Sequence, residues 1–197
     1  MSDLQNQWNA RWRAKAADAD WQADPWLQRV MPLLRPGRTL DVACGSGCNA
    51  LFLAEHGFAV TAIDLALEAL TLLDQEASRR GLAIDTRLVD LEANPILPAG
   101  PFDLVIDFFY LHRPLLPLLG ALLRPGGLMV LRTFSCAGPF PGGPDNPDFV
   151  LKPGELLELF QSWDILCHEE GLEPSHKGGS LAGIVARRPG TGEVDRE

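Results

Sequence analysis

The chain has 197 residues, 46% of them apolar and 22% charged, with a formal net charge of −9. That length suits one domain with a substantial core and leaves little room for a second. The acidic balance repels phosphate backbones and excludes nucleic acid as an expected partner, and no apolar run is long or clean enough to span a bilayer.

The start, Met1-Ser2-Asp3-Leu4-Gln5, has no basic patch followed by an apolar stretch, which speaks against a secretory signal and for the cytoplasm. Residues 1–38 hold four of the five tryptophans, Trp8, Trp12, Trp21 and Trp26, and read as a partly helical preface, or lid, over a following domain at 39–188. Thr39 to Ala43 is a short apolar run before a glycine turn and predicts a buried strand. Asn49 to His56 is apolar at helical spacing and stops at Gly57, a C-cap signal. Phe58 to Ile63 predicts a second strand. Leu65 to Arg80 predicts a helix with apolar positions Leu67, Leu70, Leu73 and Ala77, ended by Gly81.

Ile84 to Val89 predicts a third strand and Phe102 to Phe109 a fourth, the most apolar. His112 to Leu123 predicts a Leu-rich helix with Pro114 and Pro117 near its first turn. Arg124-Pro125-Gly126-Gly127 is a sharp stop before a fifth strand, Leu128 to Phe134. Residues 135–150 carry four prolines and three glycines, and predict a long loop that is either a lid or mobile. Pro153 to Phe160 predicts a short helix. Trp163 to Glu169 and Leu181 to Ala186 predict a closing hairpin, one strand of which must run antiparallel. Residues 189–197 read as a flexible tail. The alternation as a whole predicts an α/β fold, a Rossmann-like seven-stranded, mostly parallel sheet with helices on both faces and a C-terminal antiparallel hairpin.

The chemistry concentrates at strand ends. Asp41-Val42-Ala43-Cys44-Gly45-Ser46-Gly47 puts glycines where a ligand can approach the backbone, at the carboxyl end of the first strand. The bland alternative is a tight turn that needs glycine. Asp64 ends the second strand, where an acid can accept hydrogen bonds from both ribose hydroxyls; an N-cap is its competing role. Asp90 ends the third, within reach of an adenine amino group. A dinucleotide site would repel a carboxylate placed like Asp41, which suits instead a ligand carrying an ammonium group. The four cysteines form no C-x-x-C pair, so a reducing compartment is expected and no metal site.

Asp41 to Gly47, Asp64, Asp90, Phe102-Asp103-Leu104-Val105 and Leu123-Arg124-Pro125-Gly126-Gly127 resemble, in order, the motif series of class I S-adenosylmethionine-dependent methyltransferases, over roughly residues 36 to 134. The position of that family's first glycine holds Ala43. Trp8-Asn9-Ala10-Arg11-Trp12 and Phe149 to Leu157 are similar to the tellurite-resistance and thiopurine methyltransferase branch. The resemblance implies S-adenosylmethionine as cofactor. Asp41 and the backbone of Ala43, Gly45 and Gly47 would hold its amino-acid end, Asp64 and Leu65 its ribose, and Asp90 and Leu91 its adenine. Asp107 and Phe108 would line its methionine side, with Trp8, Arg11 and Trp12 closing the top and Arg11 reaching its carboxylate.

The expected reaction is methyl transfer to a small molecule, such as a thiol or chalcogen oxyanion. A soft nucleophile needs no protein base; an oxygen or nitrogen nucleophile would, and His112, Tyr110 and Asp107 are the candidates, His112 first. His176, beside Lys177, reads as a solvated turn residue. Arg113 and Arg132 are either anion-binding groups or surface charges. Three other readings stand beside this one: a non-catalytic S-adenosylmethionine sensor, a methyltransferase acting on protein or RNA, and a nicotinamide-dependent oxidoreductase. Asp41 argues against the last, and the acidic surface against RNA.

Overall fold

The computed structural model describes residues 2–15, 21–93, 95–175 and 178–190. His176, Lys177, Asn94 and most of the expected tail, 191–197, lie outside the described residues. The helices are α1 (Asp3–Lys15), α2 (Pro25–Val30), α3 (Cys48–Glu55), α4 (Leu67–Arg80), α5 (Leu116–Leu122) and α6 (Glu155–Leu159). The strands are β1 (Arg38–Val42), β2 (Ala59–Asp64), β3 (Asp85–Leu88), β4 (Phe102–Phe108), β5 (Leu123–Ser135), β6 (Asp164–Pro174) and β7 (Ser180–Arg187). All seven strands join one sheet in the order β3-β2-β1-β4-β5-β7-β6. It is a mixed, mostly parallel sheet: β1 and β2 pair parallel, as do β2 and β3, while β7 runs antiparallel to both β5 and β6. The architecture is the expected Rossmann-like one with its C-terminal antiparallel hairpin.

The chain forms two compact units: Met1–Ala99 with Ile106–Phe108, and Gly100–Val105 with Phe109–Glu197. In the first, β1 buries Thr39 to Val42, and β2 buries Val60 and Ala62 to Asp64. Helix α4 turns Ala69, Leu70, Leu73, Glu76 and Ala77 inward, one stripe at helical period. It stops because Gly81 takes φ +67°, which lets the amides of Gly81 and Leu82 return to the carbonyls of Ser78 and Ala77. Gly57 ends α3 likewise, at φ +84°. Glu76 is inward but charged: Arg79 binds both its oxygens at 2.7 Å and Arg80 binds one at 2.7 Å, and these arginines hold its carboxyl down at about 2. Trp26 is a core residue, 1% exposed, with its ring 6.3 Å from that of Phe108.

In the second unit, the expected helix at His112–Leu123 is a 3-10 turn, Arg113–Leu115, followed by α5. Pro114 and Pro117 explain the break, each standing near the start of its own segment, where a missing N–H costs nothing. Strand β5 starts earlier than its hydrophobic pattern implies, running through Arg124-Pro125-Gly126-Gly127 with Gly126 at φ +75°. Strand β6 likewise continues five residues past Glu169, its register shifting between Glu170 and Pro174.

The proline-rich segment is docked along the β6–β7 turn. The amide of Gly179 donates to Pro141 O at 2.8 Å and that of Phe140 to Ser180 Oγ at 3.2 Å. The contact is backbone on backbone. A Cβ on Gly138 would lie 2.7 Å from Gly171 Cα, and one on Gly179 2.8 Å from Gly142 O. Arg113 fastens the far end, bonding both oxygens of Glu155 and the carbonyls of Asp148 and Val150.

Candidate cofactor site

The cofactor residues expected from the sequence all belong to the first unit. Strand β1 delivers Asp41 to the start of a turn in which Ala43, Gly45 and Gly47 have φ of +51°, +56° and +79°. Three left-handed residues at alternate positions turn the backbone so that α3 starts at Cys48. Ala43 is one of only two non-glycine residues at positive φ among the described residues, and it bears the strain that the family's glycine avoids. An Ala43→Gly variant is expected to gain about 0.5–1 kcal/mol, the left-handed penalty less the extra freedom glycine gives the unfolded chain. Thermal unfolding, raised by about 1–4 °C, checks this.

Asp41 is 2% exposed, and its Oδ2 has no hydrogen-bond partner among the described residues. Burial first, and the nearby charge of Asp64 second, push its carboxyl well above the ordinary range, against the Ala50 amide that favours the ionised form. A buried carboxylate with an unanswered oxygen is costly on its own and calls for a cation or donor. Cys44, beside both acids, is pushed up by burial and by their charges.

Asp64 ties the turn to β2. Its Oδ2 accepts from the Gly45 amide at 2.8 Å and its Oδ1 from the Ala66 amide at 2.8 Å. Burial raises its carboxyl, and the backbone donors Ala66, Gly45 and Leu65 oppose that shift. Asp64 is not the N-cap of α4, a position that Ala66 holds; its local roles are an Asx-type turn onto the Ala66 amide and the fixing of the glycine turn. Asp90 is a turn former as well, its Oδ1 taking the amides of Glu92 and Ala93 at 3.1 and 3.2 Å. Leu91 is buried, as are Asp107 and Phe108 at the end of β4.

Helix α1 brings Trp12 onto Gly45: a Cβ there would sit 2.7 Å from Trp12 Cζ2. Lys15 lies 5.0 Å over the Trp12 ring, while Arg11 stacks 4.9 Å over Trp8, which is 38% exposed. Two residues that sequence reasoning missed are Gln5 and Asn9, the only buried side chains of α1. Their signal was the spacing Gln5, Asn9, Arg13, one polar stripe four residues apart.

In the second unit, Phe109 directly follows β4 in a left-handed conformation, φ +62°, and is 37% exposed, its ring 5.7 Å from Phe134. The ring of His112 is 6.4 Å from that of Tyr110, and no hydrogen bond orients its imidazole among the described residues. Arg132 is buried and pairs with Glu173 at 3.3 Å.

A seven-stranded sheet ending in an antiparallel hairpin, an acid before a glycine turn on β1 and a second acid at the end of β2 define a class I S-adenosylmethionine-dependent methyltransferase, with S-adenosylmethionine as its cofactor. The chain belongs to the family of the tellurite resistance protein TehB, whose model matches residues 26–182. It is 29% identical over 174 residues to a ubiquinone biosynthesis O-methyltransferase of Bordetella avium, covering 78% of this chain and 69% of that one. It is 26% identical over 158 residues to the probable S-adenosyl-L-methionine-dependent methyltransferase TehB of Haemophilus influenzae, covering 74% and 52%. The solved TehB structure from Haemophilus influenzae superposes with a TM-score of 0.73 at 21% identity, covering 84% of this chain and 62% of that one. The chain thus spans between about half and two thirds of the length of these relatives. No helix among the described residues is long and apolar enough to cross a membrane.

Proposed function

We propose that this chain transfers the methyl group of S-adenosylmethionine to a small-molecule acceptor, with a thiol as the preferred nucleophile. The observation that carries the reading is Asp41: a buried carboxylate whose Oδ2 lacks a partner fits a ligand bearing an ammonium group. Asp41 would take the ammonium, the backbone of Ala43, Gly45 and Gly47 would line the amino-acid end, and Asp64, already anchored, would offer remaining lone pairs to the ribose. Asp90 and Leu91 would flank the adenine, and Asp107 and Phe108 the methionine side. Trp8, Arg11 and Trp12 would close over them.

The cofactor supplies a methyl carbon activated by a sulfonium. The protein's part is to hold donor and nucleophile in line and keep water out. Neither Arg113 nor Arg132 stands ready for an anion: the first is taken by Glu155 and two carbonyls, the second pairs with Glu173. That favours a thiol over a chalcogen oxyanion. The thiolate is the nucleophile, its proton passing to bulk water before the attack on the methyl carbon, so no protein base is required. The likeness to an O-methyltransferase supports a second reading, an oxygen acceptor, for which His112 would be the base. Four cysteines without a C-x-x-C pair support a cytoplasmic setting.

Calorimetric titration tests the cofactor site. S-adenosylmethionine and S-adenosylhomocysteine are expected to bind and NAD is not. Asp64→Ala should weaken both adenosyl ligands about a hundredfold, since it removes a charged acceptor and frees two turn amides. Binding of NAD alone, or undiminished binding to the variant, would overturn the reading. A screen of aromatic thiols against tellurite, selenite and phenols then ranks the acceptors, and turnover of the oxyanions alone would reject the thiol.

A further inference from the structure

Helix α4 has no capping side chain of its own: its N-cap is Ala66, which can offer none. The cap comes from another helix. Asn9 Oδ1 of α1 accepts the Glu68 amide at 3.1 Å. One turn earlier, Gln5 Nε2 donates to Leu65 O at 3.1 Å, and one turn later Arg13 Nε donates to Glu68 Oε1 at 2.9 Å. These three residues stand four apart and so share one face of α1. Gln5 and Asn9 are 8% and 4% exposed, and no apolar side chain of the helix is buried beside them. A helix whose fully buried side chains are both polar, with Trp12 only half-buried on Gly45, gains modestly from leaving water, so its docking is sensitive to these hydrogen bonds.

The docking place is not neutral ground. The Leu65–Glu68 turn follows directly on Asp64, whose carboxylate holds the amides of Ala66 and Gly45. Gly45 in turn lies under Trp12 of the same α1. The contacts therefore close a circuit from α1 through Asn9 and Gln5 to the α4 turn, on through Asp64 to Gly45, and back through Trp12.

We propose that Gln5 and Asn9 are positioning residues for the cofactor, which cap α4 from outside and set how much of the protein has α1 docked over the Asp64–Gly45 bridge. The inference rests on the cofactor reading above. Apparent affinity falls in proportion to the docked fraction when only that state binds fully.

The test uses the full chain. Asn9→Ala is expected to weaken S-adenosylmethionine binding about three- to thirtyfold by calorimetry, the range a lost helix cap implies. Asn9→Asp keeps the acceptor oxygen and should restore it. With an acceptor found by the screen, the apparent KM for S-adenosylmethionine should rise while kcat at saturation is retained, a split that a general loss of folding would not give. Without any cofactor, amide exchange at Glu68 should quicken in Asn9→Ala and not in Asn9→Asp. Wild-type affinity in Asn9→Ala, or unchanged Glu68 exchange, overturns this inference alone. A wild-type chain that binds no adenosyl ligand overturns the functional reading and this inference with it.

Discussion

Replacing Asp41 by asparagine is expected to make the unliganded protein more stable and the cofactor complex weaker. The carboxylate is buried, and one of its oxygens meets no donor. A neutral side chain of the same shape removes the desolvation of a charge, a gain of about 1–3 kcal/mol. Unfolding should then occur about 2–10 °C higher. The same change deletes the partner of the ligand's ammonium group, a charged hydrogen bond whose loss weakens binding about ten- to a hundredfold.

The pH dependence has a definite sign. The carboxyl is raised in the folded state, so above its unfolded value of 3.8 the folded protein holds the proton more tightly. Stability attributable to Asp41 is therefore fully present below that value and is lost as pH rises through the folded one. Ammonium binding follows the opposite course, strengthening as the group ionises. Thermal melts and titrations of both proteins across that window should show the wild type losing stability relative to Asp41→Asn as pH rises, while gaining affinity. A variant that melts lower than wild type at every pH would show the carboxylate to be satisfied by the protein itself.

Gly47→Ala is expected to carry the largest stability loss of any single methyl addition in the glycine turn. Its φ of +79° is unfavourable for alanine by about 1–2 kcal/mol. The new Cβ would also meet Leu73, with Cδ2 at 2.6 Å and Cγ at 2.9 Å. Leu73 is fully buried on the inward stripe of α4 and has nowhere to swing. Overpacking of this kind costs about 1–3 kcal/mol more. Together these lower the melting temperature by about 4–20 °C. The two terms separate in a double-mutant cycle with Leu73→Ala. The steric part should vanish in the double variant, so the two losses fall short of additivity, while the backbone part remains. Strict additivity would place the whole effect in the backbone.

What the sequence made legible was whatever rests on apolar period and glycine. Strands β1 and β2 are buried on both faces, and α3 and α4 end at Gly57 and Gly81, so pattern and punctuation agree there. The acids at strand ends were legible as positions. Their local partners were not: Asp64 and Asp90 each bind backbone amides that only the folded turn brings within reach. Gly171 and Pro174 lie past the expected strand end at Glu169, yet β6 runs through both by shifting register. The docking face of α1 showed only as a polar stripe at helical spacing, and for a different reason. Hydrophobic periodicity cannot report a helix that buries glutamine and asparagine.

The proline-rich segment is fastened where Gly138 meets Gly171 and where Gly142 meets Gly179. Side chains that meet in a contact can be exchanged for others of similar volume, and shape can drift by small steps. A contact made by main chain against main chain has no such intermediate sizes. Its glycines are either kept or the strap leaves its bed. Sequence change therefore has no gradual route through these four positions. The adaptable contacts are those between side chains, such as that of Phe109 with Phe134, where ring can be traded for ring while the frame beneath stays fixed.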